Sequence, residues 1–226
     1  MSFNIRCGDA PDGDHHWTHR KPLVVHVLKA HAPGVIGLQE ALRFQLDELC
    51  GALPGYAVEG EGREGGSGGE HTSILYDHSR FHVEGGGTFW LSDTPDIPSR
   101  HWGNVCIRAC TWLRLIETRT RRGFYVYNTH LDHESQPARE KGVRLIMDHM
   151  GRRDTNDPCL LVGDFNAGED NPVVRYLTGD LPDARGPVAL RDTFRTLYPR
   201  ARDVGTFHDF GRQPDGAKLD YILAPP

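Results

Sequence analysis

PCLLVGDFN, residues 158–166, is an apolar run that ends in a glycine, an acid and an amide. Cys159–Val162 suit a strand covered on both faces, and Asp164 and Asn166 stand at its polar end. The same arrangement recurs along the chain. SFN (2–4) ends on Asn4, VIGLQE (35–40) on Glu40, and VYNTHLDH (126–133) on His130, Asp132 and His133. Polar groups at strand termini converge on one rim of a sandwich, where hard oxygen ligands beside an imidazole suit Mg²⁺ or Mn²⁺ and an anionic oxygen. Each piece alone has a bland reading: Glu40 as a helix cap, NTH as a turn, GDFN as an Asx turn. The combination in this order is specific.

Working outward, strands and helices follow one another without an internal repeat. MSFNIR, GVIGLQE, TSILYD, FHVEGGGTFWL, CTWLRLIET and FYVYNTHLD read as strands. RKPLVVHVLKAHAP places Leu23, Val24, Val27 and Leu28 on one helical stripe, ALRFQLDELCGAL is a second amphipathic helix, and QPAREKGVRLIMDHMGR a third, carrying Val143, Ile146, Met147 and Met150. GEGREGGSGGE (60–70) is the low-complexity stretch and reads as a flexible surface loop. DVGTFHDF and AKLDYIL are expected to close the fold as a hairpin. Strand runs without regular βαβ alternation, plus a few long helices, predict two packed sheets with helices outside. No GxGxxG follows a strand, which argues against a dinucleotide fold.

The chain has 226 residues, 38% of them hydrophobic and 25% charged, which suits one large soluble domain over 1–226. No apolar run is long enough to span a bilayer. The net charge of −5 weighs against a sequence-blind binder of long duplex DNA and suits carboxylates that hold divalent cations. The five cysteines are scattered, without CxxC, so neither a disulfide framework nor a zinc knuckle is implied. Phe89, Trp90, Trp112 and Phe124 read as core. Trp17 and Trp102 lie in polar loops, where they either pack on the surface or line a cleft.

SFNIR, GLQE, GGEHTSILYD, NTHLDH, LVGDFNAG and KLDYIL together resemble the endonuclease/exonuclease/phosphatase superfamily, the DNase I-like metal-dependent phosphoesterases. FWLSDTPDIPS and IRACTWLRL are similar to a bacterial subgroup of it. The resemblance implies an α/β four-layer sandwich, two mixed β-sheets flanked by helices. It also implies roles. Asn4 and Glu40 would hold Mg²⁺ or Mn²⁺, with Asp164 and Asn166 touching metal. Asp164 would orient or deprotonate the attacking water, and Asn166 would position the phosphate. His130 would donate to the phosphoryl oxygen as a protonated imidazole, oriented by Glu70. Arg108 would contact a phosphate, and Asp220 would orient a second histidine. The expected reaction is in-line hydrolysis of a phosphodiester in a nucleic acid, a lipid head group or a small molecule. A monomer is expected.

Two departures from the family pattern stand out. The Ser-Asp-His segment that follows LDY in the family does not follow KLDYIL here, so the expected fold lacks its last strand. MSFNIR begins inside the first strand. Both point to a sequence cut at its ends, and the compartment then stays open between cytoplasm and exterior. The alternative function is an inactive phosphate-binding module without the terminal Asp-His pair. A zinc hydrolase is a weaker rival: THLDH (129–133) carries Asn128 where the fuller metallo-β-lactamase pattern needs histidine.

Overall fold

Alternation along the strands sorts the side chains into layers. The computed structural model describes residues 1–181, 188, 190–213 and 215–226. Strands β1 (Ser2–Asn4), β2 (Val35–Gln39), β3 (Tyr56–Glu59) and β4 (Ile74–Asp77) form one sheet in the order β1-β2-β4-β3. Strands β5 (Phe81–Trp90), β6 (Ala109–Glu117), β7 (Gly123–His130), β8 (Cys159–Asp164), β9 (Arg191–Asp192) and β10 (Asp220–Ala224) form the other, ordered β5-β6-β7-β8-β10-β9. Both sheets are mixed, because β1 runs parallel to β2 and β7 parallel to β8 while the other pairs are antiparallel.

Helices α1 (Trp17–His31) and α2 (Arg43–Ala52) cover the first sheet, α3 (Gln136–Gly151) and α4 (Pro172–Thr178) the second, and α5 (Thr193–Leu197) follows β9. Three apolar layers result. Val24, Leu28 and Leu49 meet Ile36 and Leu38 on the outer face of the first sheet. Val143, Ile146, Met147 and Met150 meet Tyr125, Tyr127 and Leu161 on the outer face of the second. Between the sheets lie Ile74, Leu113, Leu115, Val126 and Val162. This is the expected four-layer α/β sandwich. Along β7, Val126, Asn128 and His130 share the inner face, and along β8 Val162 and Asp164 do. The strand-end acids and the imidazole therefore point into the gap between the sheets.

A polar bolt joins the sheets below that rim. Asn128 is fully buried; its amide donates to the carbonyls of Leu38 (2.8 Å) and Ser73 (2.9 Å), and its oxygen accepts from Gln39 Nε2 at 2.6 Å. Gly37 permits this approach, since a Cβ there would sit 2.6 Å from the Val162 side chain and 2.8 Å from that of Asn128. Asn128→Ala removes three hydrogen bonds; Ser73 O keeps the Leu38 amide and Gln39 Nε2 keeps Gly37 O and Ser2 Oγ, so the Leu38 carbonyl is the group left bare, at about 1–3 kcal/mol. The expected loss is about 2–3 kcal/mol, read as a lower urea midpoint with an unchanged slope.

Several expectations are corrected. Leu23 is 62% exposed, and the buried face of α1 is Trp17, Val24 and Leu28, because the helix starts at Trp17 rather than at Arg20. Trp17 is core rather than a loop aromatic: it is 2% exposed and its indole donates to Glu48 at 2.7 Å. Residues 203–210 form no strand. Asp209 and Phe210 adopt left-handed backbone (φ 43° and 54°), and the segment closes on Ala217 through Thr206 and Phe207 amides, so it is a loop over the sheet end. Residues 60–70 are not loosely held either. Gly62 N donates to Gly66 O (2.8 Å), Arg63 N to Glu70 O (2.9 Å), and the Trp90 indole to Arg63 O (2.7 Å). The glycines serve left-handed turns here, at Gly65, Gly66 and Gly69.

Candidate active site

Register brings the strand-end residues together. In the parallel pair β7–β8, His130 stands opposite Asp164, and in the antiparallel pair β8–β10, Asp164 stands opposite Asp220. From the other sheet, the parallel pairing of β1 with β2 sets Asn4 opposite Gln39, one residue before Glu40. Asn4 Nδ2 donates to Glu40 Oε1 at 2.8 Å and to Asp164 Oδ2 at 3.0 Å, so one carboxamide ties the acids of the two sheets together. His130 Nε2 lies 3.7 Å from Asp164 Oδ2.

Backbone shape aims these groups. Glu40 (φ 60°) and Asn166 (φ 46°) are both left-handed, a conformation that costs a non-glycine residue about 1–3 kcal/mol and collects at functional sites. The kink after β2 is held by the Cys7 amide, which donates to Glu40 Oε2 at 3.0 Å. Beyond β8 the Asn166 amide donates to Asp164 Oδ1 at 2.9 Å, and its side chain donates to Leu131 O at 3.0 Å. Gly163 in GDFN is required by contact. Its φ is 150°, and a Cβ would lie 2.1 Å from the Thr129 carbonyl.

Electrostatics separate the groups. Burial, then the charge of Glu40, pushes the Asp164 carboxyl up, against hydrogen bonds from Asn166 and Asn4. Asp220 is pushed up to about 7 by burial and by Asp164 and Glu40, and its Oδ1 is buried without a hydrogen-bond partner. His130 is pushed well down by burial and by the charges of Arg108, Arg63 and His133. Both causes disfavour the protonated imidazole expected from the sequence.

The side of the rim beyond His130 differs from expectation in one partner. Arg108 lines the pocket next to His130 and is 5% exposed; its Nη2 meets His133 Nδ1 at 3.0 Å, and its Nε has no hydrogen-bond partner. Glu70 lines the same pocket, but its carboxylate accepts from Arg63 Nη1 at 2.8 Å, and among the described residues no hydrogen bond joins it to His130. Burial raises Glu70 and Arg63 opposes that rise. Sequence reading missed Arg63, hidden among glycines, and gave His133, whose Nδ1 meets Arg108, no role of its own. Asp132 is a brace, accepting from the amides of Val105, Glu134 and Ser135.

On the other side of Asp164 a cleft of about 910 Å³ opens, lined by Asn4, Glu40 and Asp220 and walled by two loops. His15 stacks on Phe210 across it, with ring centroids 4.4 Å apart and planes 1° from parallel. Trp102 does not reach this cleft: its indole donates to Asp93 at 2.8 Å and Lys141 covers its ring.

Among the described residues no group of three or more His, Cys, Asp or Glu side chains forms a ready metal cage. The donor set still fits a hard cation. The carboxylates of Glu40, Asp164 and Asp220 supply oxygen, Asp220 Oδ1 lacks a partner, and Glu40 raises both aspartates by repulsion that a cation relieves; Asn4 faces the acids through Nδ2, its oxygen accepting from the Arg6 amide. Mg²⁺ in particular keeps several waters and takes one or two carboxylates plus substrate phosphate.

Acids, an amide and an imidazole thus meet at one rim of a two-sheet sandwich. The sequence model of the Endonuclease/Exonuclease/phosphatase family matches residues 1–226, and the chain belongs to that family. It is similar to a solved family member from Bacteroides vulgatus (30% identity, TM-score 0.90, covering 100% of this chain and 85% of that one). It is also similar to a mannosyl-6-phosphatase from Bacteroides thetaiotaomicron (31% identity, TM-score 0.88, 100% and 84% covered). An uncharacterized protein of Acanthamoeba polyphaga mimivirus is 26% identical over 222 residues, 92% of this chain and 79% of that protein. No described helix is long and apolar enough to cross a membrane.

Proposed function

We propose that this chain is a divalent-metal-dependent phosphoesterase that hydrolyses its substrate by in-line attack of water. The carrying observation is the bridge from Asn4 to both Glu40 and Asp164, with His130 within 3.7 Å of the same aspartate. Similarity to a phosphatase of related sequence supports the reaction class.

Glu40 and Asn4, with Asp164 and Asn166 beside them, would hold Mg²⁺ or Mn²⁺. The ion supplies positive charge to the phosphoryl oxygens and to the departing oxygen. Asp164 orients the attacking water and takes its proton. Burial and the charge of Glu40 raise its carboxyl, which makes it a stronger base than a free aspartate. His130 donates an N–H hydrogen bond to a phosphoryl oxygen as charge builds there. Arg108, whose Nη2 meets His133 and whose Nε lies 3.8 Å from Asp132 Oδ2 without a hydrogen bond, offers a second set of N–H donors. Attack forms the new P–O bond, the bond to the leaving oxygen breaks on the opposite face, and that oxygen takes a proton. Asp220 lies against Asp164 and favours protonation of the pair, which links activity to pH. The chemistry of this centre is common to phosphodiesters, the class expected from the sequence, and to phosphomonoesters.

The test is hydrolysis of chromogenic phosphate mono- and diesters with Mg²⁺ or Mn²⁺. Turnover should vanish with chelator and return with either ion, and Glu40→Gln should need a much higher metal concentration for the same rate. Chelator-resistant turnover, or none from folded, metal-loaded chain, overturns the reading. In the latter case the phosphate-binding module is what remains.

A further inference from the structure

We propose that Arg63, held in place by Glu70, selects a terminal phosphate group, so that the substrate is a phosphomonoester whose phosphate points into the small pocket beside His130 and whose leaving group occupies the aromatic cleft. This rests on the phosphoesterase reading and narrows its substrate class.

The two sides of the centre are unequal. The pocket beyond Glu40 and His130, lined by Arg63, Glu70, Thr72 and Arg108, has a volume of about 10 Å³, whereas the cleft beyond Asp164 and Asp220 has about 910 Å³. About 10–15 Å³ on this measure is room for one water-sized group. A phosphoryl oxygen fits such a space, and the second ester substituent of a diester does not. The leaving group is thus left with the open cleft and its His15–Phe210 stack.

The donors of the pocket suit the extra ionised oxygen of a monoester. Arg108 is nine-tenths buried or more, and its Nε, 3.8 Å from Asp132 Oδ2, makes no hydrogen bond, which buried guanidinium nitrogens ordinarily do. Arg63 spends Nη1 on Glu70, and the rest of its fork remains for a ligand. Its backbone is fixed by the Glu70 carbonyl and the Trp90 indole, so little freedom is lost when it engages an anion. Guanidinium groups match phosphate in a bidentate way that lysine does not. A diester spreads a single negative charge over two terminal oxygens, which the cation and Arg108 engage, and has no third terminal oxygen for Arg63.

Binding tests this apart from turnover. Calorimetric titration with Mg²⁺ should show the chain holding inorganic phosphate at least about tenfold tighter than dimethyl phosphate, the scale of one charge-assisted contact. Arg63→Gln should weaken phosphate by roughly tenfold while changing dimethyl phosphate less than about twofold, and Arg63→Lys should fall between. Equal weakening of both anions, no effect on phosphate, or a wild type that binds the two alike or neither overturns the proposal. Should Arg63→Gln fail to fold, Arg63→Lys decides by the same criterion. Selective phosphate binding without turnover of any ester would leave Arg63 as the selector and overturn the hydrolase reading instead.

Discussion

Asp164→Asn is expected to lower metal-dependent turnover by about 10²–10⁴-fold, the range attached to a general base, while the fold survives. The substitution keeps size and shape. An amide oxygen can still accept from the Asn166 backbone, as Asp164 Oδ1 does at 2.9 Å. What disappears is the ability to take a proton from water. One hydrogen bond from Asn4 Nδ2 is put at risk, at a cost of about 1 kcal/mol. Against that loss, the variant removes a buried charge that lies beside Asp220 and is repelled by Glu40. The melting temperature should therefore move by only a few degrees. Steady-state rates and thermal melts on the same preparation check both halves. Turnover within tenfold of wild type would sink the assignment of Asp164 as base; a collapsed melt would show that its carboxylate is structural.

The metal-free chain should become less stable as pH rises from about 4 to about 7, and Asp220 should be a main cause. An ordinary aspartate releases its proton near 3.8, but in the fold Asp220 does so near 7. Between those values the folded chain holds a proton that the unfolded chain has released. Stability then falls with rising pH, by up to about 1.4 kcal/mol per pH unit for one proton. The contribution is fully present below 3.8 and is lost as pH passes through 7. Urea midpoints in chelator at pH 5 and pH 7.5 should show wild type weaker at the higher value. In Asp220→Asn that difference should shrink, and Mg²⁺ should reduce it in wild type by compensating the carboxylates. An identical pH dependence in Asp220→Asn would contradict the assignment.

The candidate site was legible where chemistry interrupts a strand. Asn4, Glu40, His130, Asp164 and Asp220 each end or begin an apolar run, and burying such groups without a task is costly. Arg63 was not legible, because its neighbours are glycines and glutamates whose composition suggests mobility. Its order comes from a Trp90 indole and a Glu70 carbonyl that only the folded loop brings near. Trp17 failed for a related reason: polar neighbours in HHWTHR hide a side chain that the packing of α1 against α2 buries. Residues 203–210 misled in the other direction. Their alternation suits a strand, but left-handed backbone at Asp209 and Phe210 makes a turn, and the ladder position beside β10 is held by β9. The role given to Glu70 shows the limit of carrying over a motif. Its place beside His130 was as expected, and its hydrogen-bond partner was not.

By itself the sequence determined the layers and the inward-facing residues, since period-2 alternation in strands and apolar stripes on helices are local properties of the chain. It also determined the inventory of acids, amides and imidazole that defines the family. The tertiary structure alone decided which of them meet. Parallel register sets His130 against Asp164, antiparallel register sets Asp164 against Asp220, and the Asn128 bolt fixes the distance over which Asn4 reaches both acids. Register between distant strands follows from inter-sheet packing and loop closure, which join residues far apart in sequence and leave no periodic trace in it.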